Sequence, residues 1–492
     1  MSIAIHWFRR DLRLRDNSAL TEAQRRHDAV LPVFVLDDGL LRRADMGAPR
    51  LTFLLESLAD LARELERLGS RLIVRRGSPI REIPDLLRAT GAVALTVNRD
   101  YGPYARRRDR RVRAAVEAAG GRWLEYPDQL LVEPEACVKD DGRPYTVFTP
   151  FARRWRMIEK RAPERRLPLR SPGHEIFDRA GGIDLPTADA LGFRLAAEIE
   201  RGGESAAHRR LDRFVSGSLL SYARDRDFPG AAGTSRLSAH LKLGTISVRA
   251  VFARAREVLG DDLASLDPAR PTADLTAAER ERLRQAGVFL NELCWRDFYQ
   301  AILFHFPHVA SGPFQERFNG LRWPETDPAL IEAWREGRTG FPIVDAGMRQ
   351  LAATGWMHNR LRMIVATFLT KTLLVDWRVG ERIFMQRLVD GDLAANNGGW
   401  QWCASTGTDA APYFRIFNPI AQAKKFDPDG KLVRRWIPEL RSAPVELVHE
   451  PWRDSWLGSG AYPPPCVDLA ESRHRAIDLL GPYARGSERE ST

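Results

Sequence analysis

The chain has 492 residues, 44% hydrophobic and 28% charged, the balance of a folded protein too long for one compact core. Lys and Arg number 75 against 65 Asp and Glu, a formal charge of +10, which fits a polyanionic partner such as nucleic acid and equally an arginine-rich proteome. No apolar run is long enough for a membrane span, no leader pattern opens the chain, and Cys137, Cys294, Cys403 and Cys466 form no CxxC pair; membrane, disulfide-framework and zinc-module classes are therefore not expected, and a reducing, cytoplasmic location is.

Residues 1–130 alternate short β-branched runs with helical patterns. Ile3–Phe8, Val30–Leu36, Leu72–Val74 and Val93–Val97 read as buried strands. Between them Leu51, Leu54, Leu55, Leu58, Ala62 and Leu65 recur at helical spacing, and Gly69 stands where a C-cap belongs. This alternation predicts an α/β domain with a doubly wound parallel sheet. No GxGxxG or GxxxxGK[ST] accompanies it, so neither a dinucleotide fingerprint nor a P-loop is present. Residues 131–205 are rich in Pro and Arg and read as a long surface connector. Residues 206–480 carry almost only helical periodicity and predict an all-α domain; 481–492 read as a disordered tail. The arginine-rich stretch Tyr104–Arg113 reads as a solvated helix face.

Four segments carry chemistry. Ala232–Ser238 (AGTSRLS) places hydroxyls, a glycine turn and Arg236 at a helix start, which suits gripping a diphosphate and equally suits an ordinary N-cap. Asn291–Tyr299 (NELCWRDFY) puts Glu292, Trp295, Arg296 and Tyr299 on one helical face. That set suits holding a base, by ring stacking and carboxylate acceptance, while a structural Glu–Arg pair is the other reading. Gly355–Met363 (GWMHNRLRM) sets Asn359 and Met363 on one face; His358 reads as structural, and His305 and His308 flank a helix break, so no metal site is expected. Asp390–Pro419 begins DGDLAANNGGWQW: two carboxylates, two asparagines, a Gly pair and two indoles within thirteen residues. Ten of the thirteen tryptophans fall at or after Trp295; each alone reads as packing, and together they also fit base stacking or electron hopping.

These segments, with the opening HWFRRDLRL, resemble the photolyase/cryptochrome family, and within it the class I cyclobutane pyrimidine dimer (CPD) photolyases. The resemblance runs from about residue 3 to 457, weakest through the connector. It implies an α/β antenna domain, a helical domain holding FAD in a folded form, and light-driven repair of UV-damaged DNA by a lyase that acts as a monomer. Implied flavin contacts are Tyr222, Thr234, Ser235, Arg236, Leu237, Ser238, Phe289, Asp390, Asp392 and Asn396, with Asn396 facing flavin N5. Implied lesion contacts are Arg226, Glu292, Trp295, Arg296, Asn359, Arg360, Met363 and Trp402. Trp400, Trp377 and Trp323 match the family's electron-transfer chain, so the catalytic set comprises these three with Glu292 and Asn396. Extrusion of the lesion from the duplex is likewise carried by the resemblance.

The resemblance also separates subclasses. Photolyases of the (6-4) type carry histidines where this chain has Asn359 and Met363, and cryptochromes usually replace the amide that is Asn396 here. Both comparisons favour CPD repair over a (6-4) enzyme or a blue-light photosensor. Folate-type members carry a glutamate near Ala105, whereas Arg50, Asp100 and Lys242 are closer to the deazaflavin-binding pattern, from which Gly102 departs. A deazaflavin-type second chromophore is expected ahead of methenyltetrahydrofolate.

Overall fold

The computed structural model describes residues 2–270, 272–453 and 462–485, so Trp456 lies outside the described residues. The chain divides into two compact groups. The first comprises residues 1–195, 200–222 and 235–307, the second 196–199, 223–234 and 308 onward.

The first group is built on five parallel strands: β1 Ile3–Phe8, β2 Ala29–Asp37, β3 Ile73–Gly77, β4 Ala94–Asn98 and β5 Arg122–Tyr126, in the order β3-β2-β1-β4-β5. Every residue of β1, β2 and β4 is buried, which is why these strands read as unbroken apolar runs: helices cover a parallel sheet on both faces. β5 was not expected. Its RWLEY sequence is only half-buried at the sheet edge and carries no apolar run to announce it. The helix Ala48–Arg67 buries Leu51, Leu55, Leu58 and Leu65, and Gly69 follows it at φ +73°, the left-handed termination expected there. Strand order reverses between β1 and β4, so the sheet's topological switch point lies beyond their carboxyl ends, where the chain continues into Arg9–Arg10 and Arg99–Asp100.

The expected connector holds a helix, Phe148–Met157, that buries Phe148, Phe151, Ala152 and Trp155. Their 3–4 spacing is helical, but the flanking arginines and prolines masked it. A buried ion network ties distant parts of this group: Asp128 accepts from Arg13 at 2.6 Å and from Arg249 at 2.8 Å, and Arg249 also reaches Asp16 at 2.9 Å. Burial alone would raise the Asp128 carboxyl, but the two guanidinium groups hold it far below the usual carboxylate range. The helix Val288–His305 ends at Phe306–Pro307, where Pro removes a backbone donor.

The second group is helical. Among the described residues no strand follows Tyr126; one isolated bridge pairs Val138 with Pro144. Its core gathers Trp334, Phe341, Phe368, Trp377, Phe384 and Trp400. The helix Leu469–Arg485 carries helical structure five residues into the segment expected to be a tail. No helix among the described residues is long and apolar enough to cross a membrane.

Candidate functional site

In the first group the helix Val288–His305 buries Phe289, Leu290, Leu293, Cys294, Asp297 and Phe298 and leaves Glu292, Trp295, Arg296 and Tyr299 half-buried along one stripe. A carboxylate and an indole thus stand one turn apart on an accessible face. Arg296 donates to the carbonyls of Gln129 at 2.7 Å and Leu241 at 3.4 Å, so its guanidinium serves main-chain anchoring. Phe289 packs edge-on against Tyr222 with 5.4 Å between centroids. Ser235 and Arg236 lead into the short helix Ser238–Leu243, with Leu237 buried at its N-cap. Arg236 takes φ +53°, an uncommon conformation for a residue with a side chain, and its Nη1 lies 3.3 Å from Glu200.

Just beyond the carboxyl ends of β1 and β4, Arg10 lies 3.5 Å from Asp100 and donates from Nε to the Lys242 carbonyl at 3.0 Å. Asp100 and Lys242 therefore meet through Arg10, a residue that sequence reasoning did not single out. Burial works to raise the Asp100 carboxyl, but Arg10, Arg108 and Arg9 hold it below its ordinary value. Arg50, in the first turn of Ala48–Arg67, donates to the Asp45 carbonyl.

In the second group Asp392 caps the helix Leu393–Cys403, accepting from the Ala394 and Ala395 amides at 3.1 and 3.3 Å. The adjacent amides then part ways. Asn397 and Gln401 are buried and donate to the Val309 carbonyl at 2.9 and 3.1 Å, which pins the helix. Asn396 is half-buried, and its Nδ2 donates to the Glu381 carbonyl at 3.0 Å. With Nδ2 so engaged, Oδ1 is the acceptor atom of this amide. Asp390 is buried and accepts from Arg362 at 2.7 Å; Arg362 stands inside the GWMHNRLRM segment and its partner could not be read from spacing.

Met363 and Trp402 are both half-buried against the core, and the Cys403 thiol donates to the Met363 carbonyl at 3.8 Å. Asn359 is exposed at the start of the helix Asn359–Thr367. Arg360 pairs with Asp227 at 2.7 Å and lies 4.3 Å over the Phe426 ring; Arg226, the neighbour of Asp227, is half-buried. His358 caps the same helix through Nδ1, which accepts from the Arg360 amide at 3.1 Å. Burial pushes this imidazole down to about 4, and it stays neutral at physiological pH. Trp400 and Trp377 are buried in one core cluster and Trp323 packs on its margin. Trp400 also meets Phe384 edge-on at 4.9 Å and Trp334 at 6.2 Å.

Within each group the donors are of the kind a flavin dinucleotide uses. In the second, the Asp390 and Asp392 carboxylates and the Asn396 amide can meet hydroxyl and ring N–H donors; in the first, Ser235, Arg236 and Ser238 can meet a diphosphate.

Comparison with known proteins agrees. A family model described as DNA photolyase matches residues 4–169, and one described as the FAD binding domain of DNA photolyase matches 289–481. A deoxyribodipyrimidine photo-lyase from Synechococcus sp. is 41% identical over 487 residues, 96% of each chain. Among solved structures, a class III photolyase from Agrobacterium tumefaciens has a TM-score of 0.83 at 35% identity, covering 98% of both chains. A cryptochrome from Synechocystis sp. has a TM-score of 0.84 at 28% identity, covering 97% of this chain and 99% of its own.

Proposed function

The chain belongs to the DNA photolyase family, and on that premise we propose that it is a light-driven lyase that splits cyclobutane pyrimidine dimers in UV-damaged DNA, with FAD as cofactor. The observation that carries this reading is the stripe on Val288–His305, where Glu292 and Trp295 share one accessible face. A carboxylate accepts pyrimidine N–H, and an indole gives a flat apolar wall.

Bound reduced FAD would supply light-driven, reversible one-electron chemistry to the dimer. The protein's share is binding, orientation and electrostatics. In the first group Trp295 offers an apolar wall and Glu292 an acceptor for pyrimidine N3–H; in the second, Met363 and Trp402 offer apolar surface and the Asn359 amide a partner for a base carbonyl. Arg226 and Arg360 meet phosphates flanking the lesion, a contact that positions without reading sequence. Arg296, engaged with Gln129 and Leu241, steadies the helix that presents Glu292 and Trp295. Asn396 offers Oδ1 to the N5–H of the reduced ring, because its Nδ2 is tied to Glu381. Trp400, Trp377 and Trp323 pass electrons inward when the cofactor needs reduction. A second chromophore of deazaflavin type fits beside Asp100 and Lys242 at the switch point, with Arg50 as a further contact.

The test is illumination of the FAD-bound, pre-reduced protein with an oligonucleotide carrying one thymine dimer and with one carrying a (6-4) product. Loss of the dimer alone is expected. Binding without repair of either supports a photosensor, the reading favoured by the likeness to a cryptochrome; repair of the (6-4) product alone overturns the lesion assignment.

A further inference from the structure

Trp295 does not stand alone on its helix. The Phe148 ring lies on it with centroids 3.5 Å apart and planes within 5°. Aromatic pairs left to themselves prefer an offset stack or an edge-to-face arrangement, and a separation this short at so small an angle leaves little lateral offset. The surrounding contacts hold it there. Within the helix Phe148–Met157, Phe151 packs against Phe298 with 5.2 Å between centroids, the Trp155 indole N–H donates to Asp297 at 2.9 Å, and Arg156 donates to Asn291 at 2.8 Å. The same Asp297 oxygen accepts from the Leu131 and Val132 amides, each at 3.1 Å. Burial pushes the Asp297 carboxyl up to about 6, so near neutral pH it is a charged acceptor for three N–H groups. The connector is thereby clamped along the helix Val288–His305, with Phe148 directly on the indole.

We propose that Phe148 is a positioning residue for lesion recognition: it fixes the plane of Trp295 and occupies one of its faces, so that a flat pyrimidine pair meets a preset surface on the other. The inference rests on the reading of Trp295 as a lesion contact. Preorganisation matters because an indole free to rotate must be ordered on binding, a cost that a fixed ring avoids.

The test uses the full-length FAD-bound protein and compares affinity for dimer-bearing and undamaged oligonucleotides of the same sequence. Phe148→Leu is expected to lose about tenfold in dimer affinity, the scale of one aromatic stacking contact, with undamaged DNA bound as before. Phe148→Tyr restores the preference. Phe148→Met, which keeps apolar volume without a flat ring, repeats the loss should the leucine variant fold poorly. In a Trp295→Ala background, Phe148→Leu costs nothing further, since it acts through that indole. Equal weakening of both DNAs, additive losses, or an unchanged preference in the leucine and methionine variants overturns the proposal. A wild-type protein without dimer preference removes the reading beneath it instead, and the two failures are told apart by that first measurement.

Discussion

Trp400 and Gly380 form a matched pair. A Cβ added at Gly380 would collide with Trp400 Cη2 and Cζ3 and with Leu369 Cδ2, so the helix Trp377–Arg387 can approach the indole only because this residue has no side chain. Gly380→Ala is therefore expected to destabilise by about 1–3 kcal/mol through overpacking, lowering the thermal midpoint, and to slow photoreduction as the indole is displaced. Trp400→Phe separates the two effects. It should impair photoreduction of oxidised FAD while repair by pre-reduced protein stays near normal, as the proposed role of the tryptophan chain in photoreduction requires. Equal loss of photoreduction and repair in the Phe variant would remove Trp400 from the electron route. The same scale shows what letters alone conceal: Asn396 and Asn397 are adjacent amides, yet Asn397 is buried on the Val309 carbonyl and Asn396 is half-buried on the Glu381 carbonyl. The string NN, inside the helix Leu393–Cys403, does not show this division, which depends on the carbonyls of Val309 and Glu381, distant in sequence.

At the scale of elements, the helix Asn359–Thr367 carries Asn359, Arg360 and Met363, and its first turn hangs on His358. The cap requires an unprotonated Nδ1 acceptor. The imidazole titrates at about 4 in the folded protein against an ordinary value of 6.5, chiefly through burial, with Arg362, Arg360 and Arg226 adding repulsion and Asp227 opposing it. As pH falls below 6.5 the unfolded chain takes up this proton first, so the stabilisation is lost between about 6.5 and 4. At pH 5 the loss amounts to about 2 kcal/mol, from 1.36 kcal/mol per pH unit. His358→Asn retains a capping acceptor without titrating; its urea midpoint should start lower at pH 7, for lack of the buried ring, and fall less on the way to pH 5. Parallel acid slopes in the two proteins would exclude His358 as the source. Elements were legible where burial imposed a pattern. β1, β2 and β4 are wholly buried and stood out, whereas β5 lies at the edge and did not. The helix Phe148–Met157 escaped because its apolar stripe is interleaved with Arg153, Arg154 and Arg156, of which Arg153 and Arg154 are exposed.

For the whole molecule, the balance of 75 basic against 65 acidic residues fits a polyanion and an arginine-rich proteome equally, and does not locate where a polyanion would sit. Many of those charges are engaged internally: Arg13 and Arg249 hold Asp128, Arg362 holds Asp390, and Arg9 holds Asp109. The number of basic residues therefore overstates what DNA would meet, and the placement of individual guanidinium groups matters more than their number. Duplex affinity falls with salt at a log–log slope of about 0.9 per phosphate contact, because each contact releases condensed counterions. Arg226→Gln combined with Arg360→Gln is expected to flatten the slope for undamaged and dimer-bearing duplex alike by about 2, that is two contacts at this increment. Arg107→Gln with Arg110→Gln removes the same formal charge from the exposed face of the helix Pro103–Ala118 and should leave the slope unchanged, since that face is solvated. Trp295→Ala should do the reverse of the first pair, keeping the slope and erasing the preference for the dimer. Equal flattening by both arginine pairs would show that the long-range field of the protein, not contacts at Arg226 and Arg360, sets the salt dependence.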